Sequence, residues 1–306
     1  MAAEPLISVI LPTYNRPREL LRAVTGVLAQ TYRGFELIVV DDQSSVPARA
    51  LLSDITDARL QVLRHDRNGG APEARNTGIR QARGAFIALL DDDDEFLPDC
   101  LEKLLAKMAV SPPGVGVVHG GIRFVGPSGE LMREQAPRLR GDIRGPLLRG
   151  EKDSNVMGLV RRECFERAGL FDTTLASCQD WDMWLRISAF YEFDHIPDIV
   201  VVYHSHPLQL SRDLAALIKG RTRMVEKHRA LFARDPRILA IHLKRLGKLH
   251  ALNGSWKDAR RWFGEAATLG VREPFLITAW LLWEYPRARW FSPARDLRRM
   301  PAGEMT

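Results

Sequence analysis

A run of five acidic residues, 91–95 (DDDDE), contains the residue types that point most directly to chemistry. It follows a short apolar segment, 85–90, which has the pattern of a strand buried on both faces. Consecutive carboxylates repel one another, so the run requires full solvation or a cation that shares its charge. Alternate side chains of an extended segment point the same way, so Asp91 and Asp93 can face one point while Asp92 faces elsewhere. Hard oxygen ligands at the end of a buried strand favour Mg²⁺ or Mn²⁺ that also holds substrate phosphates.

The alternative interpretation of the acidic run is a solvated loop in front of a helix. In that case Pro98 occupies the first helical turn and the acids cap the helix N-terminus. The buried strand before the run and the polar strand ends further upstream favour the metal site.

Strands and helices alternate along the first ninety residues, and polar residues follow the strands. Apolar, strand-like segments cover 6–11, 35–40, 60–63 and 85–90, and helical spacing covers 17–30 and 71–83. This alternation predicts an α/β protein with an open, mainly parallel sheet and right-handed crossovers. Ligands of such sheets bind at the carboxyl ends of the strands, where the pair Asp41 and Asp42 and the acidic run both lie.

Neither common backbone cradle for phosphate is present. The segment after the first strand, 12–17 (PTYNRP), contains no GxGxxG, and the sequence contains no Walker A motif. Phosphate is therefore expected to be held by a metal and by side chains. Arg75, with Asn76 beside it, is a candidate, and the alternative is a solvated helix arginine.

Composition limits the class of protein. The 306 residues are 45% hydrophobic, which suffices for a large core, and the net charge is +6. A basic protein with an acidic pocket suits a metal-bridged anionic ligand, or an anionic membrane met by another face. No basic run is interleaved with aromatic residues, so nucleic acid is not expected as a partner. Three widely spaced cysteines favour a reducing cytosol, and neither a signal peptide nor a spanning helix is predicted.

Four segments in register carry a family resemblance. SVILPTYNR (8–16), ELIVVDDQSS (36–45), NGGAPEARNTGI (68–79) and GAFIALLDDDDEFLP (84–98) resemble the nucleotide-sugar-binding half of the inverting family 2 glycosyltransferases, which have the GT-A fold. The match is strong through the first hundred residues and continues more loosely to about residue 212. The resemblance implies a Rossmann-like, mainly parallel sheet sandwiched by helices in a catalytic domain, 1–212. Its donor half is about 1–98 and its acceptor half about 99–212, and a helical extension, 213–306, follows.

The resemblance also implies roles for residues in the donor half. Thr13 and Tyr14 would lie against the base and ribose, where an aromatic face offers stacking. Asp41 would accept from a base N–H, as in uracil recognition, with Asp42 near it; the alternative for this pair is a turn with a helix cap. Asp92 would contact the ribose or the sugar. The nucleotide-sugar-binding set is Pro12, Thr13, Tyr14, Asn15, Asp41, Asp42, Arg75, Asp91 and Asp92.

The same resemblance implies the metal ligands. Asp93 would ligate the divalent cation, Mn²⁺ or Mg²⁺, with Asp91 completing the DxD-type element. His206, which follows the strand predicted over 196–203, would be a further ligand. The alternative is that His206 is a surface residue.

In the acceptor half, Asp180 is implied as the general base that deprotonates the acceptor hydroxyl. It lies at the start of a helix predicted by the apolar residues of 181–188, so the alternative is a helix cap. Gln179 stands where the family usually has glutamate, and this departure concerns the acceptor contacts next to the implied base. The preceding stretch, 126–150, shows little periodicity and is predicted to be a long loop facing the acceptor.

The C-terminal residues predict helices over 214–232, 236–252 and 256–269, followed by an apolar segment, 274–283. Tryptophans beside arginines there suit a helix in the membrane interface, and packing on the catalytic domain or on a second subunit is the alternative. The expected function is transfer of a sugar from a nucleoside-diphosphate donor, with UDP as the expected nucleotide, to a carbohydrate or lipid-linked acceptor, in the cytoplasm or at the inner membrane face. The alternatives are a non-catalytic nucleotide-sugar-binding scaffold and a sugar nucleotidyltransferase, which would need a glycine-rich basic loop.

Overall fold

The computed structural model describes residues 7–151, 157–175, 177–205 and 213–270. The chain forms two compact units. The first contains Met1–Arg144, Asp153–Thr174 and Gln179–Gln209, and the second contains Gly145–Lys152, Leu175–Cys178 and Leu210–Thr306.

The described residues form the following strands and helices. The strands are β1 (Ile7–Thr13), β2 (Phe35–Asp41), β3 (Leu60–Arg64), β4 (Phe86–Leu89), β5 (Glu95–Phe96), β6 (Val115–Val125), β7 (Leu131–Gln135), β8 (Gly158–Arg161) and β9 (Glu192–His204). The helices are α1 (Pro17–Leu28), α2 (Ala48–Leu51), α3 (Ala71–Gln81), α4 (Cys100–Val110), α5 (Arg144–Leu148), α6 (Arg162–Ala168), α7 (Gln179–Ile187), α8 (Leu214–Lys227), α9 (Arg229–Phe232), α10 (Pro236–Leu252) and α11 (Trp256–Thr268).

The first four strands form the parallel part of the sheet. β1 pairs in parallel with β2 and β4, and β2 pairs in parallel with β3. Every residue of β1 and of β2 is buried, as expected for strands covered on both faces. Helix α1 packs on this part through Leu20, Ala23, Val24 and Val27, which recur at helical spacing. The prediction of alternating strands and helices is correct here.

The second part of the sheet is mixed. The strand order is β3-β2-β1-β4-β8-β6-β9-β5, with β7 paired to β6. β8 runs antiparallel to β4 and β6, and β5 runs antiparallel to β9, while β6 and β9 are parallel. The expectation of a mainly parallel sheet therefore holds for the first four strands, and the whole sheet is mixed. Two of the antiparallel strands, β5 and β8, are too short to show a periodicity in the sequence.

The stretch 126–150 is not one long loop, so that prediction is wrong. It contains β7, which forms a hairpin with β6, and the short helix α5. Leu131 to Arg133 of β7 are exposed, so the strand lacks the alternation of apolar and polar residues that marks a half-buried strand. Backbone pairing and the ion pair of Arg123 with Glu134 hold the hairpin together.

The sheet brings the polar strand ends to one edge. Thr13, the last residue of β1, is level with Asp41 at the end of β2, and Asp41 is level with Arg64 at the end of β3. Ile10 is level with Leu89, so the chain that leaves β4 enters the acidic run beside the end of β1. The candidate site lies at this edge.

The second unit contains helices α8 to α11. α10 and α11 pack closely where Gly247 meets the ring of Phe263. The helix predicted over 214–232 is two helices, α8 and α9, which are separated at His228. Within the described part of the chain, no helix combines the length and the apolar character needed to cross a bilayer. The apolar segment 274–283 lies outside the described residues.

Candidate active site

Three carboxylates of the acidic run converge. Atoms of Asp91, Asp93 and Asp94 lie within 4.8 Å of one another. Asp91 and Asp93 were expected to face one point, but Asp94 was not, because an extended segment would point it away. The backbone N–H of Asp94 instead donates to the carbonyl of Asp91 at 3.1 Å, which closes a turn. The turn adds a third oxygen ligand to the predicted pair.

The centre of the acidic run is buried, so the interpretation as a solvated cap is wrong. Asp92, Asp93 and Asp94 are 5%, 8% and 1% exposed. Burial raises the pKa of Asp92 to about 6, with Arg16 and Thr13 acting in the opposite direction. Burial, followed by the charges of Asp93 and Asp91, raises the pKa of Asp94 well above its usual value. Three convergent acids, two of them buried, fit a divalent cation with oxygen ligands.

Arginines supply the counter-charge within the protein. Arg16 donates through one terminal nitrogen to Asp92 at 2.9 Å and to Asp93 at 2.7 Å. Arg75 pairs with Asp91, and Arg22 donates to the backbone carbonyl of Asp93 at 2.7 Å. Of these three arginines, only Arg75 was predicted from the sequence. The position of Arg16 directly after the polar end of the first strand was the available signal.

The loop after β1 is fastened to the acidic run and to the loop after β2. Thr13 donates its hydroxyl to Asp92 at 2.7 Å, and Pro12 is buried within β1. Asn15 has a φ of 55°, a conformation that asparagine tolerates well, and its side-chain oxygen accepts from the Ser45 backbone at 2.8 Å. Tyr14 is 48% exposed, which leaves its ring available for stacking.

Asp41 and Asp42 are buried and hold loops. Asp41 accepts from the N–H groups of Ser44 at 2.7 Å and Ala48 at 2.9 Å, and it pairs with Arg64 at 2.5 Å. Burial opposes ionisation, but the bonds from Ala48 and Ser44 keep the pKa of Asp41 below its usual value. These contacts are those of the alternative interpretation, a turn with a helix cap.

Asp42 fastens the loop before α3. Its carboxylate accepts from the N–H groups of Gly69 at 2.8 Å and Gly70 at 2.7 Å, and from His65 at 2.8 Å. The roles of Asp41 and Asp42 toward a base remain predictions.

Arg75 connects the acidic run with the predicted base. It is buried on α3 and stacks over the ring of Phe171 at 5.5 Å. Burial by itself lowers the pKa of Arg75, but the carboxylates of Asp91, Asp180 and Asp93 raise it above the usual value. The charge of Asp180 therefore acts on the same guanidinium that pairs with Asp91.

Asp180 occupies the first turn of α7, as the sequence predicted. The helix is fixed by Arg186, whose guanidinium pairs with buried Asp182 at 2.9 Å and donates to the carbonyls of Gly169 and Leu170. Asn76 of α3 exchanges two hydrogen bonds with the backbone of Phe171, of 2.9 and 2.8 Å. These contacts hold α3, the turn before α7 and α7 itself as one supported region of the site.

The end of β9 meets the acidic run. The backbone N–H of His204 donates to Asp94 at 3.2 Å, and its ring contacts Glu95 at 2.5 Å. This contact with His204 is the main cause of a lowered pKa for Glu95. His206, the predicted third ligand, lies outside the described residues.

The sequence matches the family described as Glycosyl transferase family 2 over residues 8–170. It is 26% identical over 290 residues to an uncharacterized glycosyltransferase of Haemophilus influenzae, covering 90% of this chain and 95% of the relative. It is 30% identical over 224 residues to one of Rickettsia bellii, covering 69% of this chain and 31% of the relative. A shorter match, 32% over 133 residues, covers 44% of this chain and 52% of UDP-Glc:alpha-D-GlcNAc-diphosphoundecaprenol beta-1,3-glucosyltransferase WfgD of Escherichia coli. The chain thus spans about a third of the length of the Rickettsia relative and about half of WfgD. It spans nearly all of the Haemophilus relative.

Solved structures share the fold. Staphylococcus aureus TarS 1–349, solved with UDP-GlcNAc, has a TM-score of 0.55 at 16% identity, covering 92% of this chain and 78% of the TarS chain. Mannosyltransferase PcManGT of Pyrobaculum calidifontis, solved with GDP-Man and Mn²⁺, has a TM-score of 0.54 at 20% identity, covering 94% and 88%. At identities this low, the similarity to these structures establishes the fold alone. It confirms the predicted α/β, GT-A fold class.

Proposed function

The chain belongs to glycosyl transferase family 2, and from that membership we propose that it moves a sugar from a nucleoside-diphosphate donor to an acceptor hydroxyl, with inversion at the anomeric carbon. The proposed donor is a UDP-sugar. UDP-Glc appears in the name of the E. coli relative, and TarS was solved with UDP-GlcNAc. Because the Pyrobaculum mannosyltransferase was solved with GDP-Man, the base is the first property to test.

One observation supports the proposal: three carboxylates, of which Asp93 and Asp94 are buried, converge at the strand ends. Arg75, which pairs with the third carboxylate, Asp91, also interacts with the charge of Asp180. Asp91, Asp93 and Asp94 would hold Mn²⁺ or Mg²⁺, with His206 proposed as a further ligand. Bound there, the cation would neutralise charge on the leaving diphosphate.

The side chains of this chain would do the rest of the chemistry. The exposed ring of Tyr14 would stack on the base, and Asp92 would face the ribose or the sugar. Asp180 would take the proton from the acceptor hydroxyl, whose oxygen then bonds to the anomeric carbon as the bond to the diphosphate oxygen breaks. A single displacement of this kind inverts the configuration of that carbon.

The proposed acceptor is a lipid-linked sugar or a polysaccharide. The E. coli relative's name includes an undecaprenol-linked acceptor. Peripheral contact with the inner face of the membrane belongs to the same proposal, since residues 213–270 contain thirteen Lys and Arg against five Asp and Glu. Recovery of the whole chain in the soluble fraction of a flotation assay with anionic vesicles would contradict the membrane contact.

Calorimetry with UDP, GDP, CDP and dTDP, each with and without Mn²⁺, tests the proposed function. We expect metal-dependent binding of one diphosphate, weakened at least about tenfold in Asp93→Asn because one charged ligand is lost. Asp99→Asn is the matched control, since Asp99 lies near the run but pairs with Lys103 at 2.9 Å. Its binding should match that of the wild type.

The outcomes separate the proposal from its rival. Binding of a nucleotide without any turnover of the corresponding sugar donor would support a non-catalytic nucleotide-sugar-binding protein. The sequence feature that favours this hypothesis is Gln179, which replaces the usual glutamate. If no nucleotide binds with or without Mn²⁺, both interpretations are wrong.

A further inference from the structure

Arg16 pairs with two carboxylates of the acidic run. It is the last residue before α1, and one terminal nitrogen of its guanidinium lies 2.9 Å from Asp92 and 2.7 Å from Asp93. The side chains of Asp92 and Asp93 are 6% and 11% exposed, so these bonds are made in a largely dry setting. Burial by itself lowers the pKa of Arg16, but the charges of Asp92 and Asp93 raise it above the usual value. Arg16 is therefore a permanent cation here.

We propose that Arg16 is an exchangeable counter-ion of the acidic run: it holds Asp93 while the donor site is empty and transfers its guanidinium to the donor's diphosphate when donor and cation bind together. This inference rests on the proposed function, because it takes Asp93 to be a metal ligand.

The exchange follows from the charges. Asp93, whose carboxylate accepts from Arg16, belongs to the group of three carboxylates. A divalent cation bound to that carboxylate would stand close to a guanidinium, and the two positive charges would repel one another. A diphosphate brought in with the cation offers the guanidinium the bidentate oxygen acceptors that it prefers. The donor thereby removes the repulsion that opposes cation binding.

Arg16 also has room to move. Its side chain is 32% exposed and stands at the end of a loop, so a change of rotamer can carry it toward a ligand. Arg75, in contrast, is 11% exposed and lies between Asp91 and the ring of Phe171. Arg75 therefore acts as a fixed charge and Arg16 as the one that changes partner.

The proposal predicts cooperative binding of cation and nucleotide. Without nucleotide, Mn²⁺ competes with Arg16 for Asp93 and binds weakly. With the nucleoside diphosphate present, Arg16 has a new partner and Mn²⁺ binds more tightly. By linkage, Mn²⁺ raises the affinity for the nucleotide by the same factor.

Electron paramagnetic resonance of free Mn²⁺, titrated against the full chain, measures this coupling directly and does not depend on activity. The titration is made with and without UDP, or with the diphosphate that calorimetry identifies, on wild type, Arg16→Gln, Arg16→Lys and Arg18→Gln. We expect Arg16→Gln to bind Mn²⁺ alone about tenfold more tightly than wild type, and to lose most of the coupling to nucleotide, within the usual five- to 150-fold range of such couplings. Arg16→Lys keeps the charge and should behave more like wild type.

Arg18→Gln is the matched control, because it removes one positive charge from an exposed position of α1. Its Mn²⁺ affinity should equal that of the wild type. Arg16→Met, which keeps much of the aliphatic stem, replaces Arg16→Gln if circular dichroism shows that the glutamine variant does not fold.

Two outcomes overturn the inference in distinguishable ways. If Arg16→Gln binds Mn²⁺ alone no more tightly than wild type, while wild type still binds nucleotide with Mn²⁺, Arg16 is a fixed ion-pair partner and the proposed function stands. If neither wild type nor any variant binds Mn²⁺ and nucleotide together, the proposed function fails and takes this inference with it.

Discussion

Asp180 is the residue on which the proposed chemistry turns, and its substitution gives a sharp prediction. In Asp180→Asn the side chain keeps its size but can no longer accept a proton, so we expect turnover to fall about 10²–10⁴-fold. Binding of the donor nucleotide should stay within about twofold of wild type, because the acidic run and Arg16 are unchanged. Product formation from UDP-sugar and acceptor, measured beside nucleotide affinity, checks both.

Gln179→Glu is the control for Asp180→Asn. It restores the residue that the family usually has next to the base, so we expect turnover to be kept or raised. Wild-type turnover in Asp180→Asn would show that Asp180 is only a residue of the first helical turn, and another base would have to be sought.

At the level of single residues, the sequence was informative where chemistry depends on residue type and less informative where it depends on a turn. Asp91 and Asp93 could be chosen because consecutive carboxylates after a buried strand are costly without a cation. Asp94 could not, because its place depends on the hydrogen bond from its N–H to the carbonyl of Asp91. Arg16 follows the polar end of the first strand directly, but its contact with Asp92 and Asp93 depends on the path of the loop, which residue types do not give.

At the level of elements, the seating of α3 on β1 positions Arg75. Gly78 of α3 lies directly on Ile10 of β1, and a Cβ at Gly78 would overlap with a methyl group of Ile10. Ile10 is fully buried and β-branched, so it has little freedom to move away. In Gly78→Ala we expect the overpacking cost of about 1–3 kcal/mol to exceed the gain in helix propensity of about 1 kcal/mol. Chemical denaturation should show a lower free energy of unfolding, and turnover should fall as α3 shifts.

Gly26→Ala is the matched control for this prediction. Gly26 lies within α1, and a Cβ there would stand 3.9 Å from the carbonyl oxygen of Phe96, an ordinary contact. The variant should gain about 0.5–1 kcal/mol, because alanine favours the helix over glycine. Equal stability changes in Gly78→Ala and Gly26→Ala would mean that the close seating of α3 does not constrain the fold.

The elements that could be predicted from the sequence are those with many buried residues at a regular period. β1, β2, α1 and α10 have this property, and their predicted bounds differ from the observed ones by two residues or fewer. β7 has exposed side chains along most of its length, and β5 contains only two residues, so neither offers a pattern. Pairing partners rather than residue types define such strands, which is also why the mixed part of the sheet was not foreseen.

At the level of the whole chain, the second compact unit is built from three separate stretches, which no local pattern of the sequence indicates. Two side chains of α10 fasten one of the short stretches. The ring of His242 contacts the carbonyl of Leu148 at 2.6 Å, and Arg245 donates to the carbonyl of Arg149 at 2.6 Å. The contact of His242 spans 94 residues of sequence, so no local sequence pattern predicts it.

The His242 contact makes the stability of the chain depend on pH. His242 is 2% exposed and its ring centroid lies 4.3 Å from that of Phe232. Burial lowers the pKa of His242 to about 4, and the charges of Arg245 and Arg221 act in the same direction. In the unfolded chain the pKa is about 6.5, so between pH 6.5 and pH 4 the unfolded chain binds a proton that the folded chain does not. Folding therefore loses stability as the pH falls through this window, by about 2 kcal/mol between pH 7 and pH 5.

Urea unfolding of the full chain, followed by far-ultraviolet circular dichroism at pH 7 and pH 5, measures this effect against His242→Gln. Glutamine can still donate to the Leu148 carbonyl but gains no proton, so its free energy of unfolding should fall by about 2 kcal/mol less than that of wild type. His228→Gln, a half-buried position in the same unit, is the control and should keep the wild-type pH dependence. The compared quantity is the change in the free energy of unfolding between pH 7 and pH 5. The buried amide of the variant also alters packing, but it does so equally at the two pH values. If His242→Gln and wild type lose the same stability, His242 is protonated in the folded chain, and the Nε2 bond to Leu148 must then tolerate a charged ring.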